Sequence, residues 1–121
     1  MPDIVVVGGG IVGCAVAYEL ARRGASVTVL EEREVGRGAT HASAGMLAPH
    51  IEAGDAGPLH ELSLRSLALF DGFVAHVEAD SGLGISYRRT GTLQVASSQA
   101  RLQGLRTEAA GLAAGGVEAT L

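Results

Sequence analysis

Three glycines and one acid near the start of the chain have the types and spacing of a dinucleotide-binding set. Gly8, Gly10 and Gly13 fit the pattern G-x-G-x-x-G in the stretch GGGIVG, and Glu31 follows about 20 residues later. The hexapeptide alone is weak evidence in a chain with 18 glycines. It becomes specific when a strand precedes it, a helix begins within it and a second strand ends in the acid.

Each of these residues has its own physical role in such a site. Gly8 allows a tight turn, Gly10 lets the backbone approach a pyrophosphate, and Gly13 lets the helix pack closely. The helix amino terminus offers N–H groups and a partial positive charge to the phosphates. Glu31 would accept hydrogen bonds from the adenosine ribose and repel a 2′-phosphate, which disfavours NADP.

The elements that must position these residues occur in the required order. DIVVVGGG is a continuous β-branched run, which predicts a strand buried on both faces of a parallel sheet. IVGCAVAYELARRG repeats apolar residues at helical spacing and ends at Gly24, and SVTVLEE predicts a second strand. The fold class is therefore α/β, a Rossmann-like domain whose parallel sheet is incomplete within these 121 residues. We expect the chain to be the amino-terminal part of a longer protein.

The next stretch, GRGATHASAGML at residues 36–47, has side chains too small to build a core. Small residues would let backbone N–H groups approach a pyrophosphate or the edge of a flavin ring, and Thr40 and Ser43 add hydroxyl donors. The second strand of an NAD dehydrogenase usually continues soon into another helix or strand of the same unit. This small-residue loop therefore favours FAD, with the loop and the glycine turn meeting at one ligand.

The remainder of the chain predicts a linker, two helices and a hairpin. Residues 49–58 form a linker with two prolines, and a helix follows over about residues 59–80. ISYRRTGTLQVA alternates around a Thr-Gly turn, which predicts an antiparallel hairpin, and Ser97 or Ser98 can cap a last helix. The expected apolar helix faces are Leu59, Leu62, Leu69, Phe70, Phe73 and Val77, then Leu102, Leu105, Ala109 and Leu112. The predicted domains are residues 1–58, the FAD-binding unit with its loop, and 59–121, the start of the substrate-binding remainder.

Three segments together resemble the amino-terminal third of glycine oxidases of the thiamine-biosynthesis type. These are GGGIVGCAVAYELARRGASVTVLE, GRGATHASAGMLAP and ISYRRTGTLQVA, and the family belongs to the D-amino acid oxidase group of FAD enzymes. AGMLAP is the most selective segment, and the resemblance covers residues 3–96. It implies FAD contacts that, with the three pattern glycines, complete the predicted cofactor-binding set: Ile11, Val12, Glu31, Glu32, Ala39, Thr40, Ala44, Gly45 and Met46. The last three would lie near the flavin ring and the substrate.

The resemblance also implies a reaction. Hydride passes from the α-carbon of glycine or another small amine to flavin N5, the imine hydrolyses, and O₂ reoxidises the flavin with release of H₂O₂, feeding thiamine thiazole synthesis. A D-amino acid dehydrogenase, a sarcosine oxidase-like enzyme and a truncated, non-catalytic FAD-binding fragment stay as alternatives. The family's substrate-binding arginine and second glycine-rich segment lie far downstream and are absent from this chain, so no catalytic residue is assigned.

The remaining arginine, cysteine and histidine residues that could do chemistry are expected to have no catalytic or metal-binding role. Arg88 and Arg89 are expected to be solvated charges, and Cys14 a small packing group. Some related enzymes attach flavin covalently to a histidine at the position that corresponds to Ala42. His41 precedes that position by one residue, so it is expected to be an exposed loop residue. The scattered histidines fit no zinc pattern, so no metal is predicted.

Composition excludes several partners. The net charge is −4 and no basic stripe carries interleaved aromatics, which argues against nucleic acid. One cysteine permits no intrachain disulfide, and no apolar run approaches membrane-spanning length. We expect a cytoplasmic enzyme with a small amine or amino acid substrate and O₂ as acceptor. Assembly as a homo-oligomer stays open.

Overall fold

The computed structural model describes residues 1–52 and 57–121 of the chain. They form two compact units, Met1–Met46 and Leu47–Leu121, which are described separately. The domain boundary expected after residue 58 stays a prediction.

The first unit is the strand–helix–strand arrangement predicted from the sequence. Its two strands are parallel and hydrogen-bonded, with Ile4 opposite Val27 and Val7 opposite Leu30. Asp3 extends the pairing, since its N–H donates to the carbonyl of Ser26 at 2.9 Å. The elements in chain order are β1 (Ile4–Val7), α1 (Ile11–Arg22), β2 (Val27–Leu30) and the short α2 (Ala39–Ala42). The α/β prediction is confirmed.

Helix α1 ends as the sequence predicts, at a glycine in the left-handed region. Gly24 has φ +87° and donates from its N–H to the carbonyl of Ala21 at 2.9 Å. The N–H of Ala25 then reaches the carbonyl of Leu20 at 3.1 Å. These bonds satisfy carbonyls that a helix terminus otherwise leaves open, and the chain turns back toward β2.

The burial predicted for the first strand is only partly realised. Ile4 and Val6 are half-buried, but Val5 is 53% and Val7 83% exposed. A strand is buried on both faces only when helices cover both faces of the sheet. Among the described residues the sheet has two strands, and α1 is the one long helix of this unit.

The described residues of the second unit include three helices: α3 (Pro49–Glu52), α4 (Pro58–Ser81) and α5 (Gln99–Ala114). The predicted linker over residues 49–58 is therefore wrong at both ends, because α3 and the start of α4 fall inside it. The carbonyl of Ala48 accepts from Ile51 and Glu52, which forms the single turn of α3. Proline at the first helical position has a fixed φ that suits a helix start. Residues 53–56 of the predicted linker lie outside the described residues.

Helix α4 confirms the predicted helix, but its predicted apolar face is only half correct. Leu59 and Leu62 are each 64% exposed and Leu69 is 73% exposed. The buried residue is Val74, and Phe70 contacts the rings of Phe73 and Tyr87 at centroid distances of 6.0 and 5.2 Å. Periodicity identifies residues that share a face, whereas burial requires a neighbouring element over that face.

Helix α5 follows its prediction closely. Ser98 is its amino-terminal cap and accepts from the N–H of Arg101 at 3.2 Å. Leu105 is buried, and the other predicted face residues, Leu102, Ala109 and Leu112, are half-buried. No helix in the described ranges is long and apolar enough to cross a bilayer.

The predicted hairpin over residues 85–96 is wrong for this structure, because no strand occurs within it. Side chains instead attach the segment to α4. Arg89 donates to Asp71 at 2.9 Å and to the carbonyl of Leu67 at 3.0 Å, and Tyr87 lies against Phe70. An isolated two-stranded hairpin is marginal in water, and the described residues offer no further strand for it to pair with.

Candidate cofactor-binding groove

An open groove of about 610 Å³ lies in the first unit, where β1 ends and α1 begins. We call it the glycine groove. Its position at the carboxyl end of a parallel strand is where α/β folds bind dinucleotides. It is lined by Val6, Val7, Gly8, Gly10, Ile11, Val12, Gly13, Val16, Ala39, Thr40 and Ser43.

Two of the pattern glycines are required by the backbone of the turn. Gly8 has φ +102°, a conformation that side chains disfavour. A Cβ on Gly13 would lie 1.9 Å from the carbonyl oxygen of Gly8. The first turn of α1 therefore rests directly on the backbone that leaves β1. The role expected for Gly13, close packing of the helix, is realised against this turn.

The small-residue loop lies against the glycine turn. Gly36 donates from its N–H to the carbonyl of Gly9 at 2.8 Å, and Ile11 donates from its N–H to the Thr40 hydroxyl at 2.9 Å. A Cβ on Gly10 would lie 3.1 Å from the same Thr40 oxygen. The two surfaces with little side-chain bulk thus form one groove.

Glu31 lies at the end of β2, beside the glycine turn. Its carboxylate accepts from the N–H of Gly9 at 2.6 Å and from the N–H of Arg33 at 3.1 Å. The hydrogen bond from Gly9, followed by that from Arg33, holds the pKa of Glu31 below its ordinary value. The carboxylate is consequently ionised at neutral pH. Neighbouring Glu32 is exposed and pairs with Arg33 at 3.2 Å.

The last predicted contacts, Ala44, Gly45 and Met46, are exposed and do not line the groove. Gly45 has φ +69° and its N–H donates to the Ser43 hydroxyl at 3.0 Å, so the loop turns sharply there. The structure brings together Gly8, Gly10, Ile11, Val12, Gly13, Ala39 and Thr40, with Glu31 beside them. It leaves Glu32 and the Ala44–Gly45–Met46 segment at the surface.

Sequence reasoning missed Gly9, the middle glycine of the pattern. Gly9 is buried, its N–H binds Glu31, and its carbonyl accepts from Gly36 and from the Cys14 thiol at 3.4 Å. A Cβ on Gly9 would lie 3.2 Å from the Glu31 Cβ. A third glycine in the run GGG was the available signal, because the pattern leaves that position free.

The other residues considered from sequence lie outside the groove. His41 is exposed on α2, and Arg89 pairs with Asp71 in the second unit. Cys14 is half-buried, with its thiol on the Gly9 carbonyl. Within residues 1–52 and 57–121, no three His, Cys, Asp or Glu side chains are grouped to hold a metal ion.

The residues of the glycine groove fit an adenine dinucleotide. The glycine turn has no side chains that would keep a ligand away from the backbone. The start of a 12-residue helix faces the groove, and the ionised carboxylate of Glu31 follows β2. Valine and isoleucine side chains supply an apolar wall. Over residues 3–121 the sequence matches the family described as FAD dependent oxidoreductase. The chain belongs to this family.

Several of the proteins similar to this chain are named glycine oxidases. The chain is 34% identical over 97 residues to "Glycine oxidase" from Geobacillus kaustophilus, which covers 80% of this chain and 26% of the relative. It is 39% identical over 106 residues to "Bifunctional protein ThiO/ThiG" from Nostoc sp., covering 88% of this chain and 16% of the relative. The resemblance stated from sequence is confirmed.

The fold agrees with a solved structure as well. The crystal structure of glycine oxidase from Geobacillus kaustophilus superposes with a TM-score of 0.86 and 30% identity, over 93% of this chain and 30% of that one. The chain thus spans between 16% and 30% of the length of the relatives named here.

Proposed function

We propose that the glycine groove binds FAD and that the chain forms the amino-terminal FAD-binding part of a glycine oxidase-like enzyme. The observation that carries this proposal is the contact between the glycine turn and the small-residue loop, through Ile11 and Thr40 at 2.9 Å. Membership of the FAD-dependent family supports the choice of flavin over NAD.

Different residues of the groove would contact different parts of the cofactor. The N–H of Val12 at the start of α1 would lie toward the pyrophosphate, where Gly8, Gly10 and Gly13 leave the backbone bare. The N–H of Ile11 donates to the Thr40 hydroxyl, so Ile11 would contribute to the site as a lining residue. Glu31 would hold the adenosine ribose. Its oxygens accept from the N–H groups of Gly9 and Arg33, and a carboxylate has further lone pairs to accept from hydroxyl groups.

The loop would serve the flavin end of the site. Ala39 and Thr40 line the groove, and we propose that Ala44, Gly45 and Met46 continue the surface toward the flavin ring and the substrate. Their exposure is consistent with a surface that a ligand covers, and Met46 is 72% exposed. The flavin, when bound, supplies the hydride acceptor; the chain supplies its position and excludes bulky groups near it.

For the whole enzyme we propose oxidation of glycine or another small amine or D-amino acid to an imine, with O₂ as acceptor and H₂O₂ as product. The names of the relatives support this activity and a place in thiamine biosynthesis. We propose a cytoplasmic enzyme with residues 1–58 in its FAD-binding domain and 59–121 at the start of the remainder. A D-amino acid dehydrogenase would differ in passing its electrons to an acceptor other than O₂.

A pair of glycine variants tests cofactor binding. Gly10→Val should abolish flavin retention, because a branched side chain would fill the groove beside Thr40. Gly72→Ala in α4 is the control, since a Cβ there would meet no heavy atom of the described residues within 4 Å outside its own helix backbone. Flavin absorbance of the purified proteins is the measurement. Equal absorbance in Gly10→Val and Gly72→Ala would contradict the proposed site.

The activity is tested on the protein expressed from its complete reading frame. Peroxide release would be measured with glycine, sarcosine and D-alanine, together with flavin bleaching under anaerobic conditions. Bleaching with peroxide release indicates an oxidase, and bleaching without peroxide indicates the dehydrogenase. A flavin that none of these amines reduces would contradict the proposed reaction class.

A further inference from the structure

Helix α1 takes its side-chain cap from a distant segment. Its cap residue, Gly10, has no side chain, and the N–H of Ile11 donates instead to the hydroxyl of Thr40, 29 residues later, at 2.9 Å. A hydroxyl that accepts one amide satisfies a donor that the start of a helix otherwise leaves open. Thr40 is half-buried, whereas its neighbours Ala39 and His41 are exposed.

The same hydroxyl limits the room for a side chain at position 10. Gly10 has φ −75° and ψ −179°, an extended conformation open to any residue. Among the described residues, a Cβ there would meet one heavy atom within 4 Å outside its chain neighbours, the Thr40 oxygen at 3.1 Å. An added side chain at position 10 would therefore crowd the Thr40 hydroxyl, which would have to shift by a few tenths of an ångström.

We infer that Thr40 is a positioning residue that caps α1 in place of Gly10 and fixes the small-residue loop at the mouth of the glycine groove. This goes beyond the cofactor contact predicted for Thr40. Accepting from Ile11 leaves the hydroxyl its own proton, which can be donated to a ligand oxygen in the groove. The capping role holds without a cofactor; its effect on flavin affinity rests on the proposed function.

Amide hydrogen exchange of the 121-residue chain tests the capping role directly. The N–H of Val12, one residue after Ile11, has no acceptor within residues 1–52 and 57–121. In the unaltered protein the Ile11 amide should exchange more slowly than that of Val12 once intrinsic rates are corrected. Equal corrected rates at the two amides would overturn the inference, and this comparison needs no variant.

Two substitutions of Thr40 separate the hydroxyl from the shape of the side chain. Thr40→Val keeps the shape and removes the acceptor, so Ile11 exchange should accelerate by about fivefold or more. Thr40→Ser keeps the hydroxyl, so its Ile11 rate should stay within about twofold of the unaltered protein. Unchanged Ile11 exchange in a folded Thr40→Val protein would overturn the inference.

A double-mutant cycle tests the link to Gly10. Gly10→Ala should lower the urea midpoint of the protein that retains Thr40. The same change should lower the midpoint less in a Thr40→Ala background, because the hydroxyl oxygen that the new methyl group would crowd is absent there. Additive shifts would contradict the link.

Titration with FAD tests whether Thr40 affects cofactor binding. Thr40→Val should raise the FAD dissociation constant by about threefold or more, and Thr40→Ser should restore it. If the unaltered chain binds no FAD while Ile11 remains protected, the proposed function fails and the capping role stands. If FAD binds equally to Thr40→Val and to the unaltered chain, the inferred positioning of the groove is overturned.

Discussion

The two units of the chain are stabilised by different kinds of contact. In residues 1–46, the contacts that join distant segments involve the backbone: Gly9 with Glu31 and Ile11 with Thr40, 22 and 29 residues apart. In the described part of residues 47–121, side chains hold the segment after α4 to that helix. They form the exposed pair of Arg89 with Asp71, the ring contact of Tyr87 with Phe70, and the bond that the Glu78 carboxylate accepts from the Ile85 N–H.

This difference determines how each unit responds to substitution. Backbone contacts at a glycine turn have no room to adjust, whereas exposed ion pairs are screened by water and contribute little. The first unit should therefore be sensitive to single added carbons, and the second should tolerate most of them. The following predictions compare matched changes in the two units, from the largest expected effect to the smallest.

The largest effect is expected from adding one methyl group at Gly13. Gly13→Ala would place a Cβ 1.9 Å from the Gly8 carbonyl oxygen, so the first unit should lose about 3 kcal/mol or more of stability. The matched change, Gly72→Ala in α4, should instead stabilise the protein by about 0.5–1 kcal/mol, because glycine is less favourable than alanine in a helix interior. Urea unfolding followed by far-UV circular dichroism measures both. Similar costs at the two sites would refute the contrast.

A smaller effect is expected at the cap of α5. Ser98→Ala removes the acceptor for the N–H of Arg101 and should cost about 1 kcal/mol. Ser97→Ala, one residue earlier, is the control and should change stability by less than about 0.5 kcal/mol. The free energy of unfolding is again the measured quantity. Equal costs for the two serines would show that the Ser98 hydroxyl does not stabilise the helix.

These outcomes bear on what the sequence could predict. The strand–helix–strand unit was predictable because its signals are local: a β-branched run, helical periodicity and glycines at fixed spacing. The glycine positions also predicted where the backbone must lack a side chain for the turn and the helix to pack closely. The partners of Glu31 and Thr40 were not predictable, since spacing along the chain does not reveal which amide a side chain reaches after folding.

The second unit shows the opposite limit. The cap of α5 was predictable from Ser98 because a cap depends on adjacent residues. The hairpin was not, because alternation shows which residues could share a face, while a strand requires a neighbouring strand. The exposed Leu59, Leu62 and Leu69 on α4 make the same point for helices: they recur at helical spacing, but no element among the described residues of this unit buries them.

A pH-dependent effect is expected at Glu31. Its pKa is lowered in the folded chain, so its contribution to stability is complete above the ordinary value of 4.5 and declines as the pH falls through the lower, folded value. Glu31→Gln should remove this part of the acid dependence. Urea midpoints measured from neutral pH down to acid pH test it. An identical acid slope in Glu31→Gln would contradict the contact with Gly9.

The smallest effect is expected at Asp71, an exposed acid of the second unit. Asp71→Asn weakens the attachment of Arg89, so the nearby Tyr87 amide should exchange faster with little change in overall stability. Arg88→Gln is the matched control, because it leaves the Asp71–Arg89 pair in place. A Tyr87 amide that responds equally to both changes would show that the pair does not hold this segment.

The central claim is that the glycine turn and the small-residue loop bind one flavin dinucleotide together. Titrating the ¹⁵N-labelled chain with FAD and following backbone amide shifts tests it most directly. The account predicts saturable shifts at residues 8–13 and 39–45 with one shared dissociation constant. Shifts in only one of these segments, or the absence of saturable binding, would contradict it.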